Sequence, residues 1–228
     1  MNIQRLTLET ADLAPLKVFY GEILELPVRL ENGVLQIQIG SSELVFLEKP
    51  ESKAKYHMAF NIPEQQLEAA KHWLEARVPL VQDEHGTTVF ESVTWSANQV
   101  YFYDAAGNIL ELIARHNLRH ETIQPFDSSG LLNISEIGLA VLQTSEFAGW
   151  LETQFGILAY RNNSSDFMPL GDENGLIISV SSGREWYPNT GILAEAFYTK
   201  IEFTVGAGLA SPAPTVGYLD LPYWFSRV

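Results

Sequence analysis

The chain opens on an alternating run, Ile3 to Thr10, in which Leu6 and Leu8 alternate with polar residues at the two-residue period of a half-buried strand. From Leu13 the period changes. Leu13, Leu16, Tyr20, Ile23 and Leu24 recur at helical spacing, with Asp12 placed to cap the first turn. Pro15 falls in that turn, where backbone N–H groups lack helical partners anyway. Three short apolar runs follow, Pro27 to Leu30, Val34 to Ile39 and Leu44 to Leu47, divided by the turn residues Asn32-Gly33 and Gly40-Ser41. One strand, one helix and three strands make a βαβββ module.

The same order then returns. Tyr56 to Ile62 reads as a strand, Pro63 opens a helix with Leu67, Ala70 and Leu74 on one face, and strand runs continue to Ile113, so the chain contains an internal repeat. Residues 116–130 turn polar, with Pro125 and Ser128-Ser129-Gly130, and read as a linker. A third copy begins with Ile134 to Val141, and its helix carries Phe147, Trp150, Leu151 and Phe155, with Gly156 suited to the C′ position. The fourth copy, from about Ala196, is eroded: GAGLASPAPTVG stands where a helix is expected, and its prolines also exclude a dinucleotide-binding reading of Gly206-Ala207-Gly208. The predicted fold is α+β, with tandem βαβββ modules in two domains, 1–115 and 131–228, joined by the linker 116–130, the last module degenerate.

Charge and composition narrow the function. With 28 acidic against 14 basic residues, a net of −14, the chain repels nucleic acid and anionic membrane. It has no cysteine, which removes disulfides, thiolate zinc sites and thiol nucleophiles together. No run approaches the roughly 18 apolar residues of a membrane span, and the start lacks a signal-peptide pattern, so a cytoplasmic protein acting on a small molecule is expected.

The most specific stretch chemically is VYFYDAAGNILELIAR, residues 100–115: a strand, a turn at Asp104 to Asn108, and a second strand. Alternation puts Glu111 on one face with Ile109 and Ile113. An unpaired carboxylate in such a setting costs several kcal/mol, so a metal, a cation or a proton must compensate it. Trp95, Gln99, Tyr101 and Tyr103 alternate on the preceding strand. As a pocket wall, Trp95, Gln99 and Tyr101 would bind substrate; as ordinary core they would touch none.

Three segments carry a family resemblance. The turn followed by Ile-Leu-Glu-Leu resembles the closing hairpin of vicinal oxygen chelate proteins, the superfamily of glyoxalases, bleomycin- and fosfomycin-resistance proteins and extradiol dioxygenases. IQRLTLETADLAPLKVFYGEILELPV is similar to the first strand and helix of that family, and YHMAFNIPEQQLEAAKHWLEA to its second module, whose opening strand carries a metal-binding histidine. The resemblance implies two glyoxalase-like domains, each curling its modules into a cup. It also implies His57 and Glu111 as ligands of one divalent ion, Fe, Mn, Zn or Ni, in the N-terminal cup.

The resemblance to the fosfomycin-resistance arrangement further implies a histidine ligand on the first strand; Arg5 stands at that position, and a guanidinium does not coordinate a metal. Glu9, on the same strand face, is the nearest spare carboxylate, either as a substitute ligand or as a partner of Arg5. Two functions that use the cup therefore stand open. One is an enzyme of lyase, isomerase, transferase or dioxygenase type, with His57, Glu111 and Arg5 as its catalytic set and Arg5 and Glu9 also touching substrate. The other is a metal-free protein that binds or sequesters an anionic ligand through Arg5, and an Arg5 to Glu111 contact would mark it. His72, His85, His116 and His120 sit in helix and loop contexts that predict solvated or capping roles. Beyond residue 120 there is no histidine, and the module-opening positions are Glu136 and Lys200, expected as solvated strand ends or as a pair left from a lost site. A structural or interaction role stands third: the acidic, aromatic-rich C-terminal half could pack against another copy as a homodimer, since modules of this type often pair through subunit contacts.

Overall fold

The computed structural model describes all residues except Asn162, Asn189 and 207–213. In the first module β1 (Asn2–Thr10) leads into α1 (Ala14–Val18), which continues as a π-type turn over Phe19–Ile23, followed by β2 (Val28–Glu31), β3 (Val34–Ile39) and β4 (Ser42–Glu48). Asp12 Oδ1 accepts the Ala14 N–H at 2.8 Å, tying down the helix entry. The second module holds β5 (His57–Ile62), α2 (Leu67–Glu75), β6 (Phe90–Ser92), β7 (Ala97–Tyr103) and β8 (Ile109–Arg115). Here the helix starts later than Pro63 predicts, because Pro63 first closes a turn in which its carbonyl accepts the Gln66 N–H at 3.0 Å. The third module is β9 (Asn133–Val141), α3 (Thr144–Phe155), β10 (Phe167–Asp172) and β11 (Gly175–Ser181). The fourth is β12 (Thr199–Thr204), β13 (Val216–Gly217) and β14 (Tyr223–Arg227), and most of the proline-rich run expected to replace its helix lies outside the described residues. Among the described residues no helix is long and apolar enough to cross a membrane.

The strands of the described residues form two seven-stranded sheets, in the orders β13-β14-β12-β1-β4-β3-β2 and β10-β11-β9-β5-β8-β7-β6. The first sheet joins modules one and four; the second joins modules two and three. This corrects the cup expected from chain order: modules one and two share no sheet, and residues 116–130 connect β8 to β9 within one sheet. The physical reason lies in the free edges. Once a module closes, its first strand still has one row of backbone N–H and C=O groups to satisfy, and side-chain patterning does not say which neighbour satisfies them. Here β5 meets β9, antiparallel, with Met58 opposite Ile137, and β1 meets β12, with Leu6 opposite Ile201.

One apolar core takes Leu6 and Phe46 from the first sheet, Phe60 and Leu112 from the second, and Tyr20, Leu74 and Phe147 from the helical segments. Two-residue periodicity turns Ile109, Glu111 and Ile113 of β8 to the opposite face of the second sheet, where Tyr101, Ile178 and Trp186 also gather. The two sheets are joined at the β3–β4 turn. Gly40, at φ +52°, brings the backbone so near the Leu132 carbonyl that a Cβ would overlap it, and the Ser41 N–H donates to that carbonyl at 2.9 Å. Beside it, Ser42 Oγ donates to Ile3 O at 2.6 Å and accepts the Ile134 N–H at 3.1 Å.

Candidate functional site

The floor of the site is built around Ala59. On one side of β5, Ala59 lies opposite Glu111 of β8; on the other it lies opposite Glu136 of β9. A methyl group between two carboxylates leaves the space above it open to both. His57 is two residues earlier on the same strand face, with Nε2 3.6 Å from Glu111 Oε2. Ligand atoms of His57, Glu111 and Glu136 all lie within 4.8 Å of one another, and all three residues are buried. Among the described residues this is the group of donors close enough to hold a metal ion.

A bulge aims the third carboxylate. Ala59 pairs with Glu136 and Phe60 with Ile134, so Ser135 is the extra residue of β9. Ser135 and Glu136 consequently both reach one guanidinium, that of Arg115, which projects from the end of β8 across β5. Its Nε donates to Asn61 Oδ1 at 3.2 Å and Ser135 Oγ at 3.3 Å, and Nη2 donates to Ser135 Oγ at 3.1 Å and forms a close ion pair with Glu136 Oε1. The Arg115 side chain is fully buried; its Nη1 has no hydrogen-bond partner, and its Cζ sits 5.4 Å over the Trp95 ring.

Burial raises the Glu111 carboxyl well above the usual carboxylate range, with Glu136 pushing the same way and Arg115 opposing. Glu136 is also raised by burial, against the pull of Arg115. Burial lowers the His57 imidazole to about 4, so it is neutral at pH 7, and its Nδ1 is buried without a hydrogen-bond partner. With Glu111 and Glu136 ionised, the floor of two carboxylates, one guanidinium and one neutral imidazole is left one negative charge in excess.

Above the floor opens a cavity of about 420 Å³, walled by Trp95, Tyr101, Phe167, Trp186 and Tyr187. The Tyr101 and Trp186 rings lie 6.3 and 5.3 Å from the His57 ring, centroid to centroid, and fix its orientation. Gln99 donates from Nε2 to Ser92 Oγ at 2.7 Å and keeps a buried Oε1 without a donor. Arg184 also lines the cavity, 3.6 Å from Asp166 Oδ2 and stacked over Phe167.

Arg5 and Glu9 belong to the other sheet and do not line this cavity. Arg5 pairs closely with Glu43 and lies 3.8 Å from Glu202, its side chain half exposed, so the Arg5 to Glu111 contact expected of a metal-free binder is absent among the described residues. The backbone N–H of Glu9 donates to Tyr56 Oη at 3.1 Å. Glu136 is neither solvated nor paired with Lys200, which sits in the first sheet 3.3 Å from Glu202. These differences have one cause: β1 and β12 share a sheet that excludes β5 and β9. His72 and His116 make local contacts with Glu68 O and Asn98 Oδ1, and His85 is exposed beside Glu84.

No family model and no curated protein matches the chain. Solved structures do. A putative dioxygenase from Bacillus subtilis subsp. subtilis str. 168 aligns over 100% of this chain and 84% of its own, with a TM-score of 0.64 at 15% identity. The chain has the vicinal oxygen chelate fold. Glyoxalase I from Zea mays aligns over 88% of this chain and 74% of its own, with a TM-score of 0.55 at 15% identity.

Within this vicinal oxygen chelate framework, sequence reasoning missed Glu136 as a member of the His57–Glu111 site and missed Arg115 altogether. A signal for each was there. Glu136 stands at a module-opening position, and Arg115 shares the two-residue period of Glu111; what the sequence does not carry is that the second and third modules meet.

Proposed function

We propose that the protein is a small-molecule enzyme of the vicinal oxygen chelate class whose site takes one divalent ion on His57, Glu111 and Glu136. The observation that carries the reading is the convergence of three buried donors within 4.8 Å under an aromatic cavity. The donor set suits the group: one imidazole and two carboxylates, without thiolate, match Mn, Fe, Zn or Ni, and three protein ligands leave positions for substrate. When bound, such an ion acts as a Lewis acid toward an oxygen pair of the substrate.

The chain's own residues supply the rest. Trp95, Tyr101, Phe167 and Trp186 exclude water and suit a flat, ring-sized substrate. Gln99 Oε1 offers a buried acceptor for a substrate hydroxyl. Arg184 supplies positive charge at the cavity lining for an anionic substituent. All three ion donors come from one chain, so the chemistry requires no second copy. A metal-free binder built on Arg5 loses its key residue to the Glu43 and Glu202 pairs of the first sheet.

The test is elemental mass spectrometry on full-length protein purified without chelator or affinity tag. Near-stoichiometric metal is expected in the parent and in Arg5→Ala, and loss of it in His57→Ala, Glu111→Gln and Glu136→Gln. A parent that holds no metal after incubation with Mn, Fe, Zn or Ni salts refutes the proposal.

A further inference from the structure

We infer that Arg115 is a positioning residue for this metal site: it clamps Glu136 through Oε1 and so presents Oε2 to the ion. The inference rests on the metal reading above and concerns how the third ligand is held. Two effects of a guanidinium beside a cation site oppose each other. Its charge repels a dication and competes for the carboxylate; its hydrogen bonds fix that carboxylate in one rotamer and remove the ordering entropy that a free glutamate loses on binding.

The surroundings favour the second effect. Arg115 engages side chains from two neighbouring strands, Asn61 of β5 and both Ser135 and Glu136 of β9, and its side chain is fully buried. A guanidinium held in this way cannot swing aside to yield Glu136 whole, so an ion must share the residue, one oxygen each. The bulge at Ser135 belongs to the same device. By placing an unpaired residue immediately before Glu136, it gives the guanidinium a hydroxyl acceptor next to the carboxylate and sets the angle of the fork. Stacking on Trp95 covers the guanidinium toward the cavity wall. A side chain retained only as a neutralising charge would need neither the second acceptor nor the bulge.

The two effects differ in sign, and calorimetric titration of chelator-stripped, full-length protein with MnCl₂ reads that sign directly. Positioning predicts that Arg115→Met binds Mn²⁺ at least about ten-fold more weakly than the parent, although it removes a repelling charge, and that Arg115→Lys, which keeps the charge without the fork, does not restore affinity. Ser135→Ala, a milder change that keeps the ion pair, should weaken binding a few-fold, and it carries the test if Arg115→Met does not fold. Equal or tighter Mn²⁺ binding by Arg115→Met, or unchanged binding by Ser135→Ala, overturns the inference while leaving the metal reading intact. A parent that binds none of the four metals overturns both.

Discussion

Gly138 of β9 lies flat against the Trp186 indole: a Cβ built on it would stand 2.9 Å from both Cζ2 and Cζ3 of the ring and closer still to Cη2. Real Cβ atoms do not approach so near, so Gly138→Ala must push the ring away. Because the obstacle is the far end of a side chain, the fold should survive with little loss of stability. The ring, however, packs against His57 and walls the cavity. The expected outcome is a changed tryptophan emission with weakened ligand binding, and no emission change in a Trp186→Phe background. Emission identical to the parent would show that the ring is already elsewhere.

Among the described residues Glu111 is buried with no cation in direct contact, and the His57 imidazole 3.6 Å away is neutral at pH 7. Burial favours the neutral form of Glu111, so the metal-free parent bears at neutral pH the cost of a desolvated charge or of taking up a proton, and Glu111→Gln removes that cost at nearly constant volume. In the presence of chelator it should therefore stabilise the protein by about 1–2 kcal/mol in urea unfolding, while abolishing metal uptake. A destabilised variant would mean that the metal-free protein compensates Glu111 in some other way.

Gly33 and Gly40 both have positive φ, +72° and +52°, but differ in what surrounds them. Gly33 faces open space, whereas a Cβ at Gly40 collides with the Leu132 carbonyl, a backbone group that cannot turn aside. Gly33→Ala is expected to cost about 1 kcal/mol, the strain of its backbone alone, and Gly40→Ala more than about 2 kcal/mol because the two sheets must part there. Equal losses in urea unfolding would dismiss the β3–β4 turn as the join between sheets.

Asp127 accepts the Ser129 hydroxyl at 2.6 Å and the Ser129 N–H at 2.8 Å, and these bonds hold its carboxyl below the usual aspartate range. The folded state thus favours the ionised form. Its contribution is present above the unfolded pKa and is lost as pH falls through the lower folded value. Asp127→Ala should cost less than about 1 kcal/mol at neutral pH, since the group is exposed, and the gap from the parent should close toward the acid limit of the folded range. A gap that persists in acid would assign the loss to packing rather than to this capping bond.

The βαβββ repeat was legible because each strand and helix carries its own period, and the face shared by Ile109, Glu111 and Ile113 follows from alternation alone. His57 and Glu111 fall in one module, so their proximity needs no knowledge of how modules associate. Arg5 and Glu136 depend on that association. Side-chain patterning records which face of a strand is buried but says nothing of which main chain lies at its edge, and so the first and second modules were paired by chain order. Glu136 adds a second obstacle, because a bulge breaks the alternation that would otherwise show Ser135 and Glu136 on opposite faces. The half-exposed setting of Arg5 was illegible for the same reason: Glu202, one of its partners, is nearly two hundred residues away in the chain.

The seam between β5 and β9 is held in register by main-chain hydrogen bonds, with Ala59 opposite Glu136. A shift of one residue would bring Ser135 or Ile137 into that place and leave the floor with a single carboxylate. The reactivity of such a protein is then written partly in its backbone alignment, and a lineage could change or extinguish it by inserting or deleting one residue within β9 ahead of Glu136, with every acid and base of the site still present in its gene.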